Sequence, residues 1–138
     1  MSRLKEAKKL ITQLGDTLNI TGLAFDENNL CVLSFDGAAI VTLQYNDAAD
    51  LLLVHSCVGT VKPDVTSAVL MELLSANCYW QGTQGATLGI EKEGGLVILA
   101  YSIPMPMAQP NQFQDIIATF VEVAREWTLK IRELKGEK

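Results

Sequence analysis

Side chains equipped for chemistry are scarce in this sequence. It holds one histidine and three cysteines in 138 residues, and neither type is placed for catalysis. His55 lies in the run Leu51-Leu52-Leu53-Val54-His55-Ser56-Cys57, where strand alternation sends Ser56 to the opposite face and Cys57 to the same one. A packed or edge histidine is expected there. Cys31, Cys57 and Cys78 are odd in number and widely spaced, with no CxxC and no nearby histidine pair. That pattern predicts buried thiols of a reducing compartment and excludes a disulfide framework or zinc site. Gly82, Gly85 and Gly89 lack the GK[ST] ending of a phosphate loop and precede a strand, so turn and strand-crossing roles are expected of them. Asp36, Asp47, Asp50 and Asp64 fall at predicted turns or caps. No enzymatic activity, metal or cofactor is expected.

Basic excess is missing too. The 11 Lys and Arg stand against 16 Asp and Glu, for a formal net charge of −5. Lys5, Lys8 and Lys9 mix with Glu6, while Lys130, Arg132 and Lys135 mix with Glu133 and Glu137, as on solvated helix faces. Nucleic acid and anionic lipid are therefore excluded as partners. No apolar run approaches the roughly 18 residues that span a bilayer, and Met1 to Leu14 is punctuated by Lys and Glu, unlike a secretory signal. A cytoplasmic address without membrane insertion is expected. What the chain does have is apolar mass: 49% hydrophobic against 20% charged residues. One domain over residues 1–138 can build its core from that without a staple.

Leu4, Ala7, Ile11, Leu14 and Leu18 recur at spacings of three and four, which predicts an amphipathic helix capped by Ser2 and weakened near its end by Gly15. Thr21 to Asn29 reads as a connection. Leu30 to Phe35 and Ala38 to Tyr45 read as strands joined by a two-residue Asp36-Gly37 turn. That register sets Phe35 against Ala38, Leu33 against Ile40 and Cys31 against Thr42, and it gathers Leu30, Val32, Val41, Leu43 and Tyr45 on the other face. Both faces are apolar, so each must be covered. A third strand, Leu51 to Val58, precedes a short helix capped by Asp64 or Thr66 and running to about Ser75. Val65, Ala68, Val69, Leu70, Met71, Leu73 and Leu74 leave that helix little polar face, which in so small a domain suggests a subunit interface. Strands over Ala86 to Ile90 and Leu96 to Ile103 follow. Pro104, Pro106 and Pro110 then bar a continuing strand and an early helix, and Met105 and Met107 sit in an extended connection, where they either cover a sheet edge or offer flexible side chains to a bound peptide. The last helix, from about Gln112 to Leu134, carries the continuous stripe Phe113, Ile116, Ile117, Phe120, Val123, Ala124, Trp127, Ile131 and Leu134.

With its elements in that order, the chain resembles the class I type III secretion chaperones (Tir chaperone-like) of Gram-negative bacteria. The resemblance covers nearly the whole chain. It rests on the stripe from Leu4 to Leu18, on Thr21-Gly22-Leu23-Ala24-Phe25-Asp26 leading into Leu30 to Asp36, on the apolar central helix and on the long final helix. It implies an α+β fold in which a five-stranded, mostly antiparallel twisted sheet carries three helices in the order α-β-β-β-α-β-β-α. It further implies a bacterial cytoplasmic homodimer joined through the middle helix and the following strand, mapped here to Val69, Leu70, Leu73, Leu74 and Trp80. The implied partner is a virulence effector whose non-globular N-terminal segment is kept soluble and secretion-competent without ATP. Effector contacts are expected at Leu4 and Ile11 of the first helix and at Leu30, Val32, Val41 and Leu43. A regulatory adaptor on the same scaffold, acting by partner exchange, is the alternative.

Overall fold

A computed structural model describes residues 2–35 and 39–136. Helix α1 spans Leu4–Leu18, strands β1 Leu30–Phe35, β2 Ala39–Asn46 and β3 Leu51–Thr60, helix α2 Ser67–Asn77, strands β4 Thr87–Glu91 and β5 Leu96–Pro104, and helix α3 Pro110–Leu134. The strands form one antiparallel sheet in the order β1-β2-β3-β5-β4. Every neighbour is antiparallel, so the α+β order expected from the residues holds.

Helix α1 forms because its apolar residues repeat at helical spacing, and Leu10 joins the buried stripe of Ala7, Ile11 and Leu14. The Ser2 hydroxyl accepts the Leu4 N–H at 3.1 Å. Gly15 does not end the helix. It is buried, and a Cβ there would lie 3.0 Å from the Leu23 side chain, so the glycine admits the chain that returns over it. Asn19, at φ 58°, closes the helix in the left-handed conformation.

Helices α1 and α3 cover one face of the sheet. Phe113, Ile117, Phe120, Val123, Ala124, Trp127 and Ile131 of α3 are buried against inward residues of the strands, among them Leu33, Val41, Leu43, Val54, Val97 and Leu99. The Trp127 indole also donates to the Gly82 carbonyl at 3.0 Å. Helix α2 is capped by Thr66, whose hydroxyl accepts the Val69 N–H. It lies along the β4 side of the sheet and reaches α3 through a Glu72–Lys130 ion pair of 3.6 Å.

Three expectations change. The Asp36-Gly37 turn lies outside the described residues, but the strands it joins are in a different register: Phe35 pairs with Ala39, Leu33 with Val41 and Cys31 with Leu43. Relative to the two-residue turn this is a slip of one residue, which exchanges the faces of one strand against the other. Second, Met105–Met107 is a single 3-10 turn, not an extended stretch. Third, α3 starts at Pro110 itself. A proline at the first helical position loses nothing, because its missing N–H would have had no partner in the helix.

Candidate interaction surfaces

The sheet face away from α1 and α3 has no element over it among the described residues. Following the pairing across the strands, Val32, Thr42, His55, Ala100 and Thr87 form one row on this face, and Ser34 and Ile40 lie beside it. Val32 and Ile40 are each 61% exposed. Of the four strand residues expected to meet an effector together, Leu30 is half-buried and Val32 exposed on this face, whereas Val41 and Leu43 are fully buried under the helices. The grouping of Leu30, Val32, Val41 and Leu43 is thus corrected: the slip in register turns the β2 pair inward. Ile40, which the two-residue turn had placed inside, takes their position. Nothing in the local Asp36-Gly37 pair announces the register that the two strands adopt.

Strand β1 is also a sheet edge. At its start the Leu30 N–H donates to Asp26 Oδ1 at 3.0 Å, and the Leu30 carbonyl accepts the Asp26 N–H at 2.8 Å. Backbone groups in an antiparallel pair alternate between the neighbour and the edge. Val32 and Ser34 therefore turn their N–H and C=O outward like Leu30, and have no backbone partner among the described residues.

On α1, Leu4 is half-buried, while Ile11 is fully buried and faces the core, so it presents nothing to a partner. The helix instead borders a cavity of 400 Å³ shared with the 3-10 turn, lined by Glu6, Lys9, Leu10, Met105 and Pro110. Met105 is buried beneath it and Met107 is 69% exposed.

Helix α2 is apolar on two sides for two reasons. Val69 and Leu73 are buried within the subunit together with Ala76, which corrects their assignment to a subunit contact: the helix uses that face for its own core. Leu70 is half-buried, and Leu74 and Trp80 are 68% and 55% exposed. Met71 and Tyr79 extend this outer surface; Met71 was counted among the apolar residues of the helix but left out of the mapped contact, although it stands at helical spacing from Leu74, and Tyr79 was not named. Tyr79 and Trp80 both adopt positive φ, 55° and 54°, which breaks the helix end and throws the two rings outward.

None of these surfaces assembles acid–base machinery. Burial lowers the pKa of His55 on the bare face. Cys31 is buried, with its thiol pKa raised by desolvation and then by Asp26, whereas Cys57 and Cys78 are exposed, contrary to the expectation of three buried thiols. Among the described residues no group of three or more potential ligands could hold a metal ion, and no helix is long and apolar enough to cross a membrane.

The sequence profile of the Tir chaperone protein (CesT) family matches residues 9–128. The chain belongs to that family. The Tir chaperone of Escherichia coli O157:H7 is 25% identical over 114 residues, covering 82% of this chain and 71% of the relative. Two solved structures share the fold of this Tir chaperone family member. The ExsC–ExsE complex contains a chain with TM-score 0.77 and 22% identity, over 93% of this chain and 95% of that one. The HopA1–SchA chaperone–effector complex contains another with TM-score 0.72 and 23% identity, over 88% and 92%.

Proposed function

We propose that this chain is a bacterial cytoplasmic chaperone of type III secretion, a homodimer that holds the N-terminal segment of one virulence effector in a non-globular, export-ready state without ATP and without catalysing a reaction. The observation that carries the cargo reading is the open β1 edge beside exposed Val32 and Ile40. An extended segment there gains backbone hydrogen bonds from Val32 and Ser34, while its alternate side chains cover the bare face, the mode by which strands add to sheet edges. Leu4 and the cavity along α1, on the helix side of the sheet, offer separate contacts to the rest of the segment. The dimer reading rests on α2. Exposed Met71, Leu74, Tyr79 and Trp80, with half-buried Leu70 beside them, make an apolar surface of the kind that marks a partner site, and a second copy of the same helix is its self-complementary occupant.

Purification of the chain from its native cytoplasm, followed by identification of what accompanies it and of the bound segment, tests the assignment. A single secreted protein held through its N-terminal region is the expected result. A transcription regulator bound in place of a secreted protein would turn the reading to the regulatory adaptor.

A further inference from the structure

The two edges of the sheet are finished differently. At β1, Asp26 closes only the first outward position, Leu30, and leaves Val32 and Ser34 open. At β4, the outward positions are Ala86, just before the strand, then Leu88 and Ile90. The Leu88 N–H donates to Asn77 Oδ1 at 2.8 Å, and Asn77 Nδ2 donates to the Leu88 carbonyl at 2.8 Å. These are the two bonds that a residue of a neighbouring antiparallel strand would exchange with Leu88. One step earlier, the Ala86 N–H donates to the Thr83 carbonyl at 3.2 Å, and the Thr83 hydroxyl donates to the Ala86 carbonyl. Thr83 is 1% exposed. Two successive outward positions are thus occupied by the chain itself, and only Ile90, next to the turn into β5, remains.

We propose that Asn77 and Thr83 seal the β4 edge, so that an extended polypeptide adds a strand to this subunit at β1 alone, and a second copy meets α2 through side chains without continuing the sheet. The proposal rests on the chaperone reading above and assigns Asn77 and Thr83 a positioning role in it. A carboxamide suits the task because it offers one planar acceptor and a donor, as a peptide unit does. Asn77 is the last residue of α2, so the same helix that carries the exposed apolar surface also delivers the plug. A sheet edge left open beside that surface would pair with any extended chain brought to it.

Amide hydrogen exchange on the full chain, alone and with a synthetic peptide of alternating valine and threonine, reads the two edges separately. Methylation of every second backbone nitrogen confines the peptide to pairing along one side. In the parent protein the peptide should slow exchange at Val32 and Ser34 and leave Leu88 and Ile90 unchanged. In Asn77→Ala combined with Thr83→Val, exchange at Leu88 in the free protein should accelerate by about tenfold, and the peptide should then protect Leu88 and Ile90 as well. Asn77→Ala alone keeps Thr83 in place and carries the same test at Leu88 if the double variant does not fold. A folded variant whose Leu88 exchanges no faster, or whose β4 gains no protection from the peptide, overturns the proposal, as does peptide protection of β4 in the parent. Failure of the cargo reading looks different: β1 amides stay unprotected in every variant while β4 still responds to loss of Asn77.

Discussion

Val32 and Val41 are the same residue on adjacent strands, yet one is 61% exposed and the other is completely buried. They stand for the two faces of the sheet. The face under α1 and α3 holds Val41, Leu43, Val54 and Leu99 at 0% exposure, and packing there decides whether the chain folds. The opposite face carries apolar side chains with nothing over them among the described residues, and its value lies in what it can meet. Equal hydrophobicity therefore says little about role: the same methyl groups are packed into the core on one side and left open to solvent on the other.

Substitution with aspartate separates these roles, and the largest effect belongs to the covered face. Val41→Asp or Leu43→Asp places an unpaired charge among buried apolar groups and should destabilise the subunit by several kcal/mol, on the order of 3–5. Urea unfolding followed by circular dichroism measures it, and a variant as stable as the parent would mean that the two faces are not as distinct as their burial.

Next comes the exposed side of α2. Leu74→Asp should leave the subunit folded, because Leu74 is 68% exposed in it, and should dissociate the dimer at micromolar concentration as seen by light scattering. Val69→Asp, on the buried side of the same helix, should unfold the chain. Persistence of a full dimer in the Leu74 variant would place the subunit contact elsewhere.

On the bare face, Val32→Asp should change stability by no more than about 0.5 kcal/mol while weakening binding of the effector's N-terminal segment by about tenfold in calorimetry. Dimerisation should be untouched. Unaltered segment affinity in both Val32→Asp and Ile40→Asp would remove this face from the cargo path.

The smallest effect concerns His55, half-buried in the same row as Val32. Burial lowers its pKa in the folded chain below the ordinary value of 6.5, so below about pH 6.5 the unfolded chain binds the proton more readily. Stability is accordingly undiminished above that pH and declines as the pH falls toward the folded pKa. Thermal unfolding at pH 7.5 and pH 5.5 should show a smaller acid-side loss in His55→Asn than in the parent; equal losses would assign the decline to other groups.

Much of this architecture was legible along the chain. The stripes on α1 and α3 are periodic over several turns, and apolar side chains at that spacing have only one way to be buried together. The strands were legible for a different reason, as short apolar runs bounded by turn residues. The pairing between β1 and β2 was not, because Asp36-Gly37 fits a two-residue turn by its local backbone preferences. Register is decided by which residues the helices bury, and a shift of one residue reverses a face. This is how Val41 and Leu43 came to be expected outside and Ile40 inside.

The central helix marks the same boundary. Its lack of a polar face is plain in Val69, Leu70, Met71, Leu73 and Leu74, and it implied two apolar contacts from the outset. Which of the two lies within the subunit was settled by how the helix packs on the core, which buries Val69 and Leu73 and leaves Leu74 bare. The sealing of Leu88 by Asn77, 11 residues away, depends likewise on where α2 ends against the sheet. Sequence by itself determined the order and kind of the elements, since periodicity and turn chemistry are local. Tertiary structure alone decided faces, register and open edges, because each depends on which surfaces distant segments withdraw from water.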